Sequence, residues 1–74
     1  MKEKVMEILK NIRDDIDFNE EKALIDDGIL DSFDIIGIVT ELNEAFGVDI
    51  TADDLEPENF NSVDAMVNLI NGLL

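Results

Sequence analysis

Residues 31–47, DSFDIIGIVTELNEAFG, carry the clearest helical pattern in the chain. Apolar residues recur there at the spacing of one face of an α-helix, namely Ile35, Ile38, Val39, Leu42 and Phe46. Asp31 is a suitable N-cap, and Asp34 completes an acidic variant of a capping box, although Ser32 is a competing cap. Gly47 can adopt the left-handed conformation that ends a helix. The stretch therefore predicts a helix that begins at Asp31 or Ser32 and ends before Gly47.

Two further amphipathic helices are predicted, one towards each end of the chain. Residues 2–13 and roughly 63–73 each place apolar residues at helical spacing. Ser62 is positioned to cap the last helix, and Pro57 to open a short helical turn before it. No run of alternating apolar and polar residues indicates a strand. We therefore expect one all-α domain over residues 1–74, a small four-helix bundle with three longer helices, one short helix and a long first loop.

The connection between the first two helices, residues 14–31, is long and acidic. It contains too many apolar residues for a free linker: Ile16, Phe18, Ala23, Leu24, Ile25, Ile29 and Leu30. We therefore expect this loop to pack on the core. An irregular loop of such length is unusual in so small a domain and indicates a functional role.

Acidic residues in the loops raise the question of metal binding. Four residues fall on ligand positions of a calcium-loop template: Asp15, Asp17, Asn19 and Asp26. Glu20, however, stands where the sharp turn needs glycine, and Asp26 where a bidentate glutamate is usual. A specific metal site is therefore not expected, and a calcium sensor stays an alternative. Weak divalent-cation binding is expected at Asp26 and Asp27 and at Asp53 and Asp54, where it would relieve charge repulsion.

The chain is strongly acidic, with 19 Asp and Glu residues against 5 Lys and Arg and a formal net charge of −14. Every basic residue lies within the first 22 positions. Nucleic acid and anionic membrane surfaces are therefore not expected as partners, because both are bound through Lys and Arg. The expected partners are proteins with basic patches, which the acidic surface would attract.

Several reaction types are excluded by residue types that the chain lacks. It has no Cys and no His, which excludes disulfides, Cys/His zinc sites and Ser–His or Cys–His nucleophiles. A chain of 74 residues is also too short to enclose a deep catalytic cleft. No apolar run reaches the length of a signal peptide or a membrane span. We expect a cytoplasmic monomer without membrane insertion and without catalytic residues of its own.

Phe33 and Ile36 point away from the apolar stripe of the helix predicted over residues 31–47. Three or four short helices cannot fully surround one of their number, so these side chains can form an exposed apolar patch beside Ser32. Exposed apolar groups next to acidic ones are typical of a partner surface. The alternative is that the long loop covers them, and the pattern does not decide between the two.

The run LIDDGILDSFDIIGIVTELNEAFGVDI, residues 24–50, resembles the acyl carrier protein family. Members carry a D-S-[LF]-D-like motif after a glycine, at the head of an amphipathic acidic helix. Gly28, Asp31, Ser32, Phe33 and Asp34 match that motif in this chain. The tail SVDAMVNLINGLL also looks like the last helix of the family, so the resemblance covers nearly the whole chain.

The resemblance implies a four-helix carrier whose motif serine, here Ser32, is modified with 4′-phosphopantetheine from coenzyme A. Asp31 and Asp34 flank this cofactor site. The thiol of the arm would hold an acyl or aminoacyl group as a thioester, so the chain would present cargo and leave the chemistry to other enzymes. The implied partners are a phosphopantetheinyl transferase, a loading ligase, and downstream transferases or synthases with basic docking patches.

The implied docking face lies on the second helix and comprises Phe33, Ile36, Gly37, Glu41 and Glu44. Gly37 stands where many fatty-acid-type carriers have an acidic residue, and Phe33 replaces the commoner leucine. The DSF variant also occurs in D-alanyl carrier proteins, so fatty-acid, secondary-metabolite and D-alanyl pathways all stay open. Outside the family, the alternative is an unmodified acidic protein-interaction domain.

Overall fold

The computed structural model describes all 74 residues, and it contains four α-helices, one short 3₁₀ turn and no strand. The helices are α1 (Lys2–Ile12), α2 (Ser32–Phe46), α3 (Pro57–Phe60) and α4 (Val63–Leu73), and the 3₁₀ turn is Ala52–Asp54. This confirms the predicted all-α bundle of three longer helices and one short helix. No helix is of a length and hydropathy that would let it cross a membrane.

The helices begin and end where their capping residues place them. Gly47 adopts φ 64° and its N–H donates to the Asn43 carbonyl at 2.9 Å, which ends α2. At the start of α4, the Ser62 hydroxyl accepts from the Ala65 N–H at 3.1 Å. Pro57 opens α3 as its first residue. These predicted helix ends are confirmed. The 3₁₀ turn was not predicted from the sequence.

The core consists entirely of apolar side chains and draws on every helix and on both long connections. Helix α1 packs against both α2 and α4, and α3 packs against α4. The most deeply buried large side chains are Phe18, Phe60, Leu9, Leu24, Ile38, Leu42, Met66, Ile70 and Val5. Burial of Phe18, Leu24 and Leu30 confirms that the first loop packs on the core.

Asn61, in the short link between α3 and α4, fixes the first loop from outside. Its side-chain oxygen accepts from the N–H groups of Ile25 and Asp26 at 3.0 and 3.1 Å, and its Nδ2 donates to the Asp26 carboxylate at 3.0 Å. Its backbone carbonyl also accepts from the Leu24 N–H at 2.9 Å. These bonds hold a loop without regular structure in one path, and Gly28, with φ 71°, then turns the chain towards the start of α2.

Candidate functional site

Ser32 is the first residue of α2, and the cap belongs to its neighbour Asp31. The Asp31 carboxylate accepts from the Asp34 N–H at 2.9 Å, and the Asp34 carboxylate accepts from the Asp31 N–H at 3.3 Å. The capping box expected for this pair is therefore confirmed. Because the two aspartates satisfy the helix start, the hydroxyl of Ser32 has no part in the cap, and Ser32 is exposed to solvent.

Asp34 also forms an ion pair that the sequence did not reveal. The Nη1 of Arg13 lies 2.7 Å from its Oδ2, and the Asp34 side chain is only 14% exposed. Arg13 at the same time binds Asp15 through two parallel bonds of 3.0 and 2.9 Å. These bonds raise the pKa of Arg13 further above its ordinary value and lower the pKa of Asp15. From the pattern alone, Arg13 was one more charged residue on the polar side of the first helix.

An open apolar groove of about 500 Å³ runs beside Ser32. Its walls come from the first loop, from α2 and from the connection before α3, and its apolar lining is Ile25, Leu30, Ile35, Ile36 and Leu55. A smaller cavity of about 110 Å³ adjoins it and reaches Phe60 of α3. Leu55 lines both spaces and is exposed to solvent, and sequence reasoning missed it because its neighbours across the groove are distant in the chain.

Phe33 and Ile36 both face solvent, with 85% and 62% of their surface exposed. The first loop therefore does not cover them, and the outward apolar patch is the correct one of the two alternatives. Glu41 and Glu44 are exposed further along the same helix. Helix α2 thus presents apolar side chains next to Ser32 and carboxylates beyond them.

Gly37 lies at the edge of this surface, on the side where α2 meets α1. A Cβ added to Gly37 would lie 3.7 Å from the Cδ1 of Ile12, which is an ordinary contact distance. The structure therefore leaves room for a Cβ at this position, so contact with α1 does not require glycine here.

Three of the acidic residues considered as metal ligands make other contacts in the structure. Asp26 is bonded to Asn61, and Asp54 accepts from the Thr51 N–H at the 3₁₀ turn at 3.1 Å. Asp15 is bound by Arg13. No group of three or more His, Cys, Asp or Glu side chains is placed to hold a metal ion. This arrangement does not support the calcium-sensor alternative, and weak divalent-cation binding at Asp26 and Asp27 and at Asp53 and Asp54 stays a prediction.

The comparisons with known proteins give one match. The family model described as the phosphopantetheine attachment site matches residues 1–70, which is nearly the whole chain. Neither the comparison with curated proteins nor the comparison with solved structures found a significant match. A member of this family carries 4′-phosphopantetheine as a covalent prosthetic group and acts as a carrier. The chain therefore belongs to the phosphopantetheine attachment-site family, as its resemblance to the acyl carrier proteins implied.

Proposed function

We propose that Ser32 is the attachment point of 4′-phosphopantetheine, and that the chain presents acyl or aminoacyl groups to partner enzymes without catalysing their reactions. The observation that carries this proposal is the Asp31 cap, which leaves an exposed primary hydroxyl at the first position of α2. The arm, when bound, supplies a thiol to which cargo is joined as a thioester.

The other side-chain hydroxyls support this choice, because each of them makes a hydrogen bond within the protein. The chain has two serines, and the second, Ser62, accepts the capping bond from the Ala65 N–H. The Thr40 hydroxyl donates to the Ile36 carbonyl at 2.9 Å. The Thr51 hydroxyl lies 3.5 Å from the Asp54 carboxylate. Ser32 is therefore the side-chain hydroxyl whose modification would break no hydrogen bond within the protein.

The surroundings of Ser32 fit a phosphodiester with an extended, partly apolar arm. A helix N-terminus favours an anion, because its first N–H groups and the helix dipole are directed at it. The groove beside Ser32 offers apolar side chains along which an arm can lie. Asp31 and Asp34 repel a phosphate, but Asp31 is exposed to solvent and the charge of Asp34 is paired with Arg13, and both limit that repulsion.

The modification is a transfer of the phosphopantetheine group from coenzyme A to the Ser32 oxygen. The Ser32 oxygen forms a bond to the phosphorus that carries the pantetheine arm in coenzyme A, and the pyrophosphate bond to the nucleotide breaks. Adenosine 3′,5′-bisphosphate leaves, and the hydroxyl proton passes to a base of the transferase. The chain contributes the nucleophilic hydroxyl, while the transferase contributes the base and the Mg²⁺ that neutralises the phosphates.

The partner surface that we propose is centred on Phe33 and Ile36, with Glu41 and Glu44 as its charged rim. Apolar anchors surrounded by charges fit partners that have an apolar pocket and a basic border. The proposed partners are the phosphopantetheinyl transferase, a loading ligase, and the transferases or synthases that consume the cargo. A monomeric single domain in the cytoplasm remains the expectation for its state in the cell.

The cargo stays a choice between fatty-acid, secondary-metabolite and D-alanyl pathways. The uncharged Gly37 and the Phe33 that replaces the commoner leucine support a specialised carrier over a general fatty-acid one. A panel of adenylating ligases, assayed with amino acids and fatty acids on the pantetheinylated protein, separates these pathways. Thioester formation from fatty acids alone would contradict the specialised assignment.

The attachment itself is tested by intact mass. The protein is incubated with coenzyme A, Mg²⁺ and a phosphopantetheinyl transferase of broad specificity. We expect a gain of about 340 Da, the mass of one phosphopantetheine group, and no gain in Ser32→Ala. The same gain in Ser32→Ala would remove Ser32 from the proposal. No gain in the folded wild-type protein would favour the unmodified acidic interaction domain.

A further inference from the structure

Arg13 joins the end of α1 to the start of α2. Its Nη1 donates to Oδ2 of Asp34 at 2.7 Å. The same oxygen accepts from the Asp31 N–H at 3.3 Å, so Arg13 binds the carboxylate that closes the capping box. Ser32 lies between these two aspartates in the chain. A side chain at the C-terminal cap of α1 therefore contacts the capping box that surrounds Ser32.

The guanidinium of Arg13 is itself held in a fixed orientation. Two parallel bonds join it to the Asp15 carboxylate, and its Nη1 lies 3.5 Å from the carbonyl of Ile29 in the loop that leads to Ser32. The Arg13 side chain is 32% exposed. A planar guanidinium can make these contacts in one orientation, whereas an ammonium group cannot span both carboxylates.

We propose that Arg13 is a positioning residue for the modification of Ser32. Arg13 donates to the Asp34 carboxylate, and the same carboxylate accepts from the Asp31 N–H. The backbone on either side of Ser32 is therefore fixed relative to the end of α1. The transferase must bring the Ser32 oxygen in line with a phosphorus atom, and a displacement of about 1 Å can slow such a reaction on the order of 100-fold. This inference rests on the proposed attachment at Ser32.

The first experiment measures kcat and KM of a phosphopantetheinyl transferase on Arg13→Gln, well below the melting temperature of the variant. We expect kcat/KM to fall by about tenfold or more, with most of the loss in kcat. Arg13→Lys should restore part of the rate, because an ammonium can still reach Asp34. Lys2→Gln is the matched control, since it breaks the 3.0 Å Lys2–Asp64 ion pair between α1 and α4. It should react at the wild-type rate.

A double-mutant cycle separates positioning from a general loss of charge. Asp34→Asn keeps an oxygen that can accept from the Asp31 N–H but loses the ion pair with Arg13. In the Asp34→Asn background, Arg13→Gln should cause no further loss of rate, because both changes remove one interaction. Fully additive losses would overturn the proposal. If Arg13→Gln does not fold, Arg13→Met, which also removes the ion pair with Asp34, replaces it in the same cycle.

A second measurement does not depend on modification. The Asp34 N–H donates to the Asp31 carboxylate, and the Ala65 N–H donates to the Ser62 hydroxyl in the equivalent cap of α4. Hydrogen exchange in Arg13→Gln should accelerate at Asp34 and stay unchanged at Ala65. Wild-type rates of modification and exchange in Arg13→Gln would overturn the positioning role and leave the attachment at Ser32 intact. Absence of modification in the wild-type protein would overturn both.

Discussion

The starts of α2 and α4 use a serine in opposite ways. At α4, Ser62 is the N-cap, and its hydroxyl is engaged by the Ala65 N–H. At α2, Asp31 is the N-cap, and Ser32 is the first helical residue. A shift of one position relative to the cap therefore separates a hydroxyl that caps a helix from a hydroxyl that has no part in the cap.

The aromatic residues near the two serines differ in their exposure to solvent. Phe60, just before the α4 cap, is buried with 2% of its surface exposed, while Phe33, just after Ser32, is 85% exposed. The end of α3, just before α4, directs its aromatic ring into the core, whereas the start of α2 directs its own towards solvent. The start of α2 therefore leaves apolar area on the surface, which is what the proposed partner surface requires.

Removal of the two aromatic rings should give the largest contrast. Phe60→Ala should cost about 3–5 kcal/mol, because it leaves a cavity in a small core. Phe33→Ala should change the free energy of unfolding by less than about 0.5 kcal/mol, since its ring is exposed. Urea denaturation followed by circular dichroism measures both. Loading by a partner enzyme should fall in Phe33→Ala, and a large loss of stability there would place Phe33 in the core instead.

Removal of the two caps should give similar losses of stability and different losses of function. Asp31→Ala and Ser62→Ala should each cost about 1 kcal/mol, the usual value for an N-cap. The rate of modification should fall in Asp31→Ala, where Ser32 can take over the cap, and stay unchanged in Ser62→Ala. Equal rates in the two variants, measured by intact mass over time, would show that the position of the cap does not matter.

The pH dependence of stability should show a smaller effect. Stability should pass through a maximum, and different carboxyl groups account for the change on its neutral side and on its acid side. A hydrogen bond between the carboxyl groups of Glu56 and Glu58 and their mutual repulsion raise the pKa of Glu56. The folded state therefore binds this proton more readily than the unfolded chain, and stability should rise as the pH falls from 7 through that pKa. Relief of the net charge of −14 acts in the same direction.

The loss on the acid side follows from two other carboxylates. Arg13 lowers the pKa of Asp15, and Lys2 lowers the pKa of Asp64, from the ordinary value of 3.8. Their stabilising contributions are complete above that value and are lost as the pH falls through the lowered pKa values. Melting temperatures between pH 7 and about pH 2 should therefore pass through a maximum. Glu56→Gln should weaken the rise on the neutral side, and a rise of equal size in this variant would exclude Glu56 as a source.

Local signals in the sequence were sufficient to predict the helices. Each depended on residues within a few positions of one another, such as Gly47 at the end of α2 and Ser62 before α4. The exposure of Phe33 and Ile36 followed from the same spacing, although the pattern left a covering loop as an alternative. Capping and amphipathic faces are local properties, and a single sequence contains them.

The surroundings of the site could not be predicted, because they depend on residues brought together by the fold. Arg13 and Asp34 are 21 positions apart, and Asn61 binds the Asp26 backbone across 35 positions. Leu55 lines the groove from the connection between the 3₁₀ turn and α3. Each is an ordinary polar or apolar residue in the sequence, and its role appears only once the relative placement of the helices is known.

We propose that the position of the cap makes Ser32, and not Ser62, the attachment point. The most direct test treats the wild-type protein, Ser32→Ala and Ser62→Ala with coenzyme A, Mg²⁺ and the transferase, and compares their intact masses. We expect a gain of about 340 Da in the wild-type protein and in Ser62→Ala, and none in Ser32→Ala. A gain in Ser32→Ala that disappears in Ser62→Ala would contradict it.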